Sequence, residues 1–328
     1  MRQRTVGTDP ATRREVSALA LGTMLMGTRT DEKTSFAILD RYVEAGGTFL
    51  DTSNNYAFWE AGDQGGQSEE LLGRWRHSRG IGDEVFIATK LGARPLAPGT
   101  SYTDGADGLS AQAVRESSEA SRERLGLERI DLLYAHIEDR NTPLEETVEG
   151  FADLVREGSV GLLGVSNHSA WRVERARSLA ATAGLPGYEV LQYQHSYLRP
   201  RTDTDDPLCR YGNIGGAGPD LLTYLEAEPG LTLVAYTPLL GGAYTRADKP
   251  LPRDYDHPGT AARLTALGEV AAETGATPNQ VVLAWQIGHE LPIIPLVGAS
   301  SVEQLEESLG ALDLELTAEQ RARLDAAF

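Results

Sequence analysis

Cysteine is almost missing from this chain: there is one, Cys209, in 328 residues. A single thiol forms no internal disulfide and completes no cysteine-based metal site, which fits a reducing compartment. It stands in the polar run DPLCRYG with no activating partner beside it, so no nucleophilic role is expected of it. Long apolar runs are missing too. None approaches the roughly 20 residues that a membrane-spanning helix needs. The opening stretch MRQRTVGTDPATRREV is polar and has no secretory apolar core, so a cytoplasmic protein is expected. Positive charge is scarce: 30 Lys and Arg stand against 48 Asp and Glu, a formal net charge of −18. Such a surface repels phosphate backbones and anionic lipid, so neither nucleic acid nor membrane is an expected partner. An anionic ligand would need a local cradle of backbone N–H groups or a few cations. The glycine fingerprint of doubly wound dinucleotide folds is absent as well. After the first apolar run, LALGTMLMG offers only Gly22 and Gly27.

What is present is an alternation. The segment RTVGTDPATRREVSAL predicts an N-terminal β-hairpin turning at Gly7, Asp9 and Pro10. Eight short apolar runs follow, at 18–25, 48–53, 84–92, 130–137, 161–167, 190–196, 231–239 and 292–298. Between them lie amphipathic stretches of helical spacing. In DEKTSFAILDRYVEAGG, for instance, Phe36, Leu39, Tyr42 and Val43 fall on one stripe before Gly46 and Gly47. Strands this uniformly apolar belong to a parallel sheet covered by helices. Eight strand–helix units in one domain, 1–328, predict an α/β fold, the (β/α)8 TIM barrel with an N-terminal hairpin. A doubly wound sheet is the alternative. The glycine-rich excursion 201–218 reads as a flexible loop rather than a phosphate cradle.

In such barrels the reactive residues stand at the C-terminal ends of the strands. The segment FLDTSNNY ends a strand on Asp51 and reaches Tyr56 five residues later. IATKLG carries Lys90, LLYAHIED carries His136, GVSN carries Ser166 and Asn167, and VLQYQHS carries Gln192 and His195. Each has an ordinary structural explanation alone: a turn bond for Asp51, a loop aromatic for Tyr56, a solvent-reaching Lys90, a satisfied core histidine for His136. Four titratable groups on neighbouring strand ends suit a proton-transfer site better. A free phenol titrates near 10 and gives up its proton poorly at neutral pH. An ammonium beside it favours the phenolate, an Asp keeps that ammonium charged and aimed, and an imidazole can orient a carbonyl oxygen. The set contains no activated nucleophile and no metal cluster. It lacks an electron source, which a hydride cofactor would supply. A hydrolase using Asp51 and Glu138 as paired carboxylates is a rival that leaves Lys90 and Tyr56 idle.

The order and spacing of DTSNNY, GQSEELLG, ATK, LLYAHIED, TPLEETVEGFADLVREG, GVSN and GASSVEQLEESLGAL resemble the aldo-keto reductases, NAD(P)-dependent (β/α)8 barrels. The likeness runs over nearly the whole chain. It implies a tetrad of Asp51, Tyr56, Lys90 and His136, with Tyr56 as the general acid, Lys90 and Asp51 lowering its pKa, and His136 positioning the carbonyl. It implies that Gly22 and Thr23 border the cofactor, that Ser166, Asn167 and Gln192 bind the nicotinamide carboxamide, and that His195 stacks on the ring. The pyrophosphate would lie along Tyr236, Thr237, Pro238, Leu239 and Gly241. The adenosine end would lie by Gly298, Ser300, Gln304, Glu307 and Ser308. There SVEQ (301–304) reads independently as a capping box at a helix N-terminus, a place that favours anions. Departures from the family pattern are the absence of Lys or Arg in that loop, Gln304 in place of a frequent Arg, Ser308 in place of Asn, and Ile137–Glu138 in place of Trp-Pro. NADP(H) is favoured and NAD(H) is the alternative. The expected activity is reduction of small aldehydes or ketones, sugars among them, by a monomer or homo-oligomer. Phe58 and Trp59 are expected to roof the substrate, whereas Trp171 is expected to pack its own helix. A cofactor-binding redox sensor with little turnover is the alternative function.

Overall fold

The computed structural model describes residues 1–203 and 214–327; Cys209 and the middle of the 201–218 excursion lie outside the described residues. Strands β1 (Gln3–Val6) and β2 (Arg14–Ser17) form the antiparallel hairpin that the sequence predicts. Eight parallel strands close into a barrel: β3 (Ala20–Gly22), β4 (Phe49–Asp51), β5 (Phe86–Leu91), β6 (Ile130–Ala135), β7 (Val160–Ser166), β8 (Tyr188–Gln194), β9 (Thr232–Tyr236) and β10 (Ile293–Gly298). They follow one another in chain order, and β10 pairs back with β3. Each of the eight apolar runs holds one strand.

The helices between them are α1 (Glu32–Glu44), a short α2 (Phe58–Ala61), α3 (Gln67–Arg79), α4 (Ala111–Leu125), α5 (Leu144–Arg156), α6 (Ala170–Ala183), α7 (Pro219–Ala227), α8 (Pro258–Thr274), α9 (Pro278–Ile287), α10 (Val302–Leu309) and α11 (Ala318–Ala326). Their ends obey local chemistry. Asp31 caps α1 by accepting the Thr34 amide at 3.0 Å. Gly126 and Gly184 close α4 and α6 at φ 63° and 65°, a conformation a side chain resists. On α1 the buried stripe is Ser35, Ile38, Leu39 and Tyr42. Phe36 and Val43 sit half-buried at its edges.

The pleat sorts the side chains. Leu50, Ile87, Leu91 and Leu133 point outward into the helix layer. Phe49, Phe86, Ala88, Leu132, Leu162, Val190, Val234 and Ile294 fill the barrel interior, joined by Val6 and Val16 of the hairpin. The hairpin therefore packs into the N-terminal end of the barrel and covers it. Alternation carries the inward face upward to Asp51 two residues after Phe49, Lys90 two after Ala88, Tyr134 two after Leu132 and Gln192 two after Val190. The top of the barrel interior thus carries the polar side chains Asp51, Lys90 and Gln192, while the residues below them are mostly apolar.

The described end of the excursion is not free. The Gly215 carbonyl accepts the Gln194 amide at 2.7 Å and Gly216 bridges to Gln194, so these two glycines are tied to the end of β8. Trp171 is 60% exposed, against the expectation that it packs its helix.

Gly164 on β7 makes room for the Tyr134 ring, because a Cβ there would overlap that ring and press on the Val190 carbonyl 2.9 Å away. Gly164→Ala should destabilise the protein by about 1–3 kcal/mol, the usual cost of overpacking a full core. A chemical-denaturation midpoint equal to that of the parent protein would refute this.

Candidate active site

The site is organised around Lys90, which is fully buried on β5. Its ammonium donates to Asp51 Oδ1 at 2.5 Å, to the Thr52 carbonyl at 2.7 Å and to the Tyr56 hydroxyl at 2.7 Å. All three N–H bonds are used. Asp51 Oδ2 accepts from the Gln192 side chain at 2.8 Å. The Tyr56 hydroxyl lies 3.3 Å from Asp51 Oδ1, a long bond that a better acceptor can displace.

The polar residues between Asp51 and Tyr56 build the turn that brings the phenol back over the strand. The Thr52 amide donates to the Ala88 carbonyl (2.9 Å) and the Asn54 amide to the Lys90 carbonyl (3.1 Å). Thr23 donates to the Asp51 carbonyl through its amide and its hydroxyl, both at 3.0 Å. The hydroxyls of Thr23 and Thr52 each meet Ser68 Oγ at 2.8 Å. Asn55 donates to the Ala93 carbonyl at 2.7 Å. Ala57, next after Tyr56, takes φ 64°, a strained conformation for a residue with a Cβ.

His136 follows β6, with its amide on the Leu91 carbonyl at 2.9 Å. Its Nδ1 lies 3.1 Å from Ser53 Oγ, and its ring meets Tyr56 edge-on with centroids 6.1 Å apart. Asp51, Tyr56, Lys90 and His136 are therefore brought together.

The electrostatics depart from expectation at one point. Burial, and then the Asp51 charge, push the Tyr56 phenol well above its usual range, so the expected lowering by Lys90 does not win. Desolvation penalises the phenolate, and Asp51 repels it. The phenol consequently keeps its proton at neutral pH. Burial draws Lys90 below the usual lysine range, opposed by Asp51 and then Glu69. Burial, with the Lys90 charge beside it, holds His136 well below its ordinary value, so the imidazole is neutral. A protonated phenol, an ammonium at its oxygen and a neutral imidazole can deliver one proton to an oxygen that is gaining charge.

The other predicted residues divide into two groups. Ser166, Asn167 and Tyr236 form a bonded set at the rim. Asn167 Nδ2 donates to the His136 carbonyl and to Ser166 Oγ, both at 3.0 Å, and Tyr236 donates to Asn167 Oδ1 at 2.9 Å. Asn167 adopts φ 55°, a left-handed conformation that asparagine tolerates better than most residues. Past β9, Thr237, Leu240, Gly241 and Gly242 all have positive φ, and Ser196 holds the Pro238 carbonyl at 2.5 Å. A turn of this kind, like the N-terminus of α10, can hold an anion by backbone amides rather than by cations. Gly22 and Gly298 are register partners at the top of the barrel between these two segments.

Elsewhere the expected roles meet competing bonds. His195 stacks on Trp285 of α9 with centroids 5.9 Å apart. The capping box at 301–304 is only half formed. Ser301 accepts the Gln304 amide, but Gln304 Oε1 takes both the amide and the hydroxyl of Ser300 at 2.9 Å. Glu307 accepts from Thr277 and Asn279, and the Ser308 hydroxyl donates to the Gln304 carbonyl. Phe58 packs edge-on against both Trp59 (5.1 Å) and Tyr102 (6.3 Å), forming an aromatic corner between the loops after β4 and β5. Trp59 is 48% exposed. Glu138 is bonded to the Ser169 amide at 2.7 Å and to Arg140 at 2.8 Å. With Asp51 saturated by Lys90 and Gln192, neither carboxylate of the rival hydrolase is free. Sequence reading missed Ser53, Thr52 and Ser68; only their density in DTSNNY and GQSEE hinted that they serve the turn. Among the described residues no group of three metal-ligating side chains is found, and no helix is long and apolar enough to cross a membrane.

The model of the family described as Aldo/keto reductase family matches residues 18–328. The chain belongs to that family. It is 33% identical to norsolorinic acid reductase stcV of Emericella nidulans over 93% of this chain and 76% of that protein. It is 31% identical to the uncharacterized oxidoreductase YrpG of Bacillus subtilis over 95% of this chain and 92% of that protein. It is 33% identical to the aldo-keto reductase str7 of Strobilurus tenacellus over 88% of this chain and 79% of that one. This aldo-keto reductase is thus an oxidoreductase of a family that reduces small carbonyl compounds with NAD(P)H.

Its buried histidines make acid destabilising. Burial lowers His168 and His195 to about 4, while an unfolded histidine titrates near 6.5. The unfolded chain therefore binds protons that the fold refuses. Stability is fully present above about pH 6.5 and falls as pH drops towards about 4. Urea midpoints that stay level from pH 7 to pH 5 would contradict this.

Proposed function

We propose that this reductase converts aldehydes or ketones to alcohols with Tyr56 as the proton donor, Lys90 as the charge that makes donation feasible, Asp51 as its anchor and His136 as the group that aligns the carbonyl. The observation that carries the reading is the Lys90 ammonium, 2.7 Å from the Tyr56 hydroxyl and 2.5 Å from Asp51. Bound NAD(P)H would supply the hydride. As charge develops on the substrate oxygen, the phenol gives up its proton to it. The ammonium already bonded to the phenol oxygen stabilises the phenolate left behind. The neutral imidazole holds the same substrate oxygen by a hydrogen bond. Ser166, Asn167 and Gln192 would orient the carboxamide, the turn 237–242 and the N-terminus of α10 would take the pyrophosphate and adenosine end, and Phe58 and Trp59 would line the substrate side.

NADP(H) remains the favoured cofactor by family frequency. No Lys or Arg stands between 298 and 308, so a 2′-phosphate would rely on Ser300, Ser301 and backbone amides. Discrimination should therefore be small: dissociation constants for NADPH and NADH, read by fluorescence titration, should differ by no more than about tenfold, or 1.4 kcal/mol. A preference of a thousandfold either way would overturn the account of that loop.

Activity is tested on a panel containing norsolorinic acid, named in the relatives, with aromatic ketones and aldoses. Tyr56→Phe should lower kcat by about 10²–10⁴ while leaving cofactor affinity unchanged. Undiminished turnover in Tyr56→Phe would remove the proposed acid. Cofactor binding with no turnover across the panel would favour a redox sensor instead.

A further inference from the structure

Behind the strand that carries Lys90 lies a second carboxylate with no place in the scheme above. Glu69 of α3 is fully buried. Its Oε1 accepts the Thr89 hydroxyl at 2.5 Å, and its Oε2 accepts Arg124 Nε of α4 at 2.7 Å. Thr89 precedes Lys90 on β5, so their side chains leave the strand on opposite faces, one into the helix layer and one into the barrel. The pair is asymmetric. The Glu69 carboxylate is wholly enclosed against the strand, while the Arg124 side chain keeps 17% of its surface exposed. The negative end of this ion pair is therefore the end bonded to β5. A Cβ on Gly73 of α3 would collide with the Arg124 carbonyl, so the two helices approach closely at this level.

A buried ion pair is a weak source of stability, since apolar residues of similar volume often do as well. Its position suggests another use. We propose that Glu69 is a positioning residue for Lys90: a carboxylate set behind β5 that ties the strand to α3 and α4 through Thr89 and Arg124 and helps keep the catalytic amine charged inside the barrel. The proposal rests on the role given above to Lys90, but its test does not depend on turnover.

Lys90 is faced by Asp51 from β4, by Tyr56 from the following loop, by the Tyr134 ring of β6 at 5.8 Å, by His136, and from behind by Glu69 with Arg124 beyond it. Burial works against the charged amine, whereas Asp51 and Glu69 support it. Neutralising Glu69 leaves burial less opposed, so the amine should lose its proton at lower pH.

The chain has three lysines, Lys33, Lys90 and Lys249, and the other two are exposed. Protein labelled with ¹³C at lysine Cε thus gives three resonances, one of them from a buried site, to be followed by NMR across the alkaline range. In Glu69→Gln the Lys90 midpoint should move to lower pH by about half a unit or more, with Lys33 and Lys249 unmoved. Glu69→Asp should restore most of the parent midpoint. If Glu69→Gln does not fold, the double variant Glu69→Gln/Arg124→Gln, which buries no unpaired charge, should give the same displacement in smaller measure. A Lys90 midpoint equal to the parent's, alongside a lowered melting temperature, would make Glu69 a structural brace and overturn the proposal. Absence of carbonyl turnover in the parent protein would instead count against the proposed function and leave this titration intact.

Discussion

The arrangement at the top of the barrel depends on one charge, the ammonium of Lys90, fully buried among its acceptors. Burying such a charge is unfavourable by several kcal/mol unless it is paired and hydrogen-bonded. The chain meets that demand with three acceptors: a carboxylate, a carbonyl and a phenol oxygen. Each acceptor then carries a further constraint. Asp51 must end β4 two residues above Phe49. The Thr52 carbonyl must turn inward. Tyr56 must return over the strand, and that return forces the strained backbone of Ala57. The polar run after Asp51 is the means of satisfying the backbone of a turn so tightly bent.

The same charge sets the protonation states around it. The Lys90 charge helps hold His136 neutral, although burial is the larger cause. It does not lower the phenol in the resting site, because Asp51 and desolvation act in the opposite direction on Tyr56. The benefit to the phenolate arises during proton transfer, when the amine is already in place and nothing needs to reorient. A site built this way stores its acid in the protonated form and stabilises the conjugate base only as it appears.

Much of this was legible in the residues. Eight apolar runs with helical stretches between them gave the barrel, because a strand covered on both faces cannot hide its uniform apolarity. Asp51 and Lys90 were legible because strand ends on one rim converge, and His136 because it follows its strand directly; the return of Tyr56 depends on the polar turn before it. What the sequence did not disclose was competition among partners. Gln304 could close a capping box on Ser301, yet it reaches Ser300 instead; both bonds are local and similar in strength, and packing chooses between them. Trp171 falls at a position that helical spacing alone cannot assign to core or solvent, and it lies outside. The sign of the Tyr56 shift depends on how completely the phenol is desolvated, which no spacing of residues encodes. The motif GQSEELLG shows no role for Glu69, because only the fold sets it back to back with Lys90.

The N-terminal hairpin has a consequence for traffic. With Val6 and Val16 packed among the lowest interior residues, the barrel is closed at its base and filled above it. A ligand of the site is therefore left the polar rim and the loops above it.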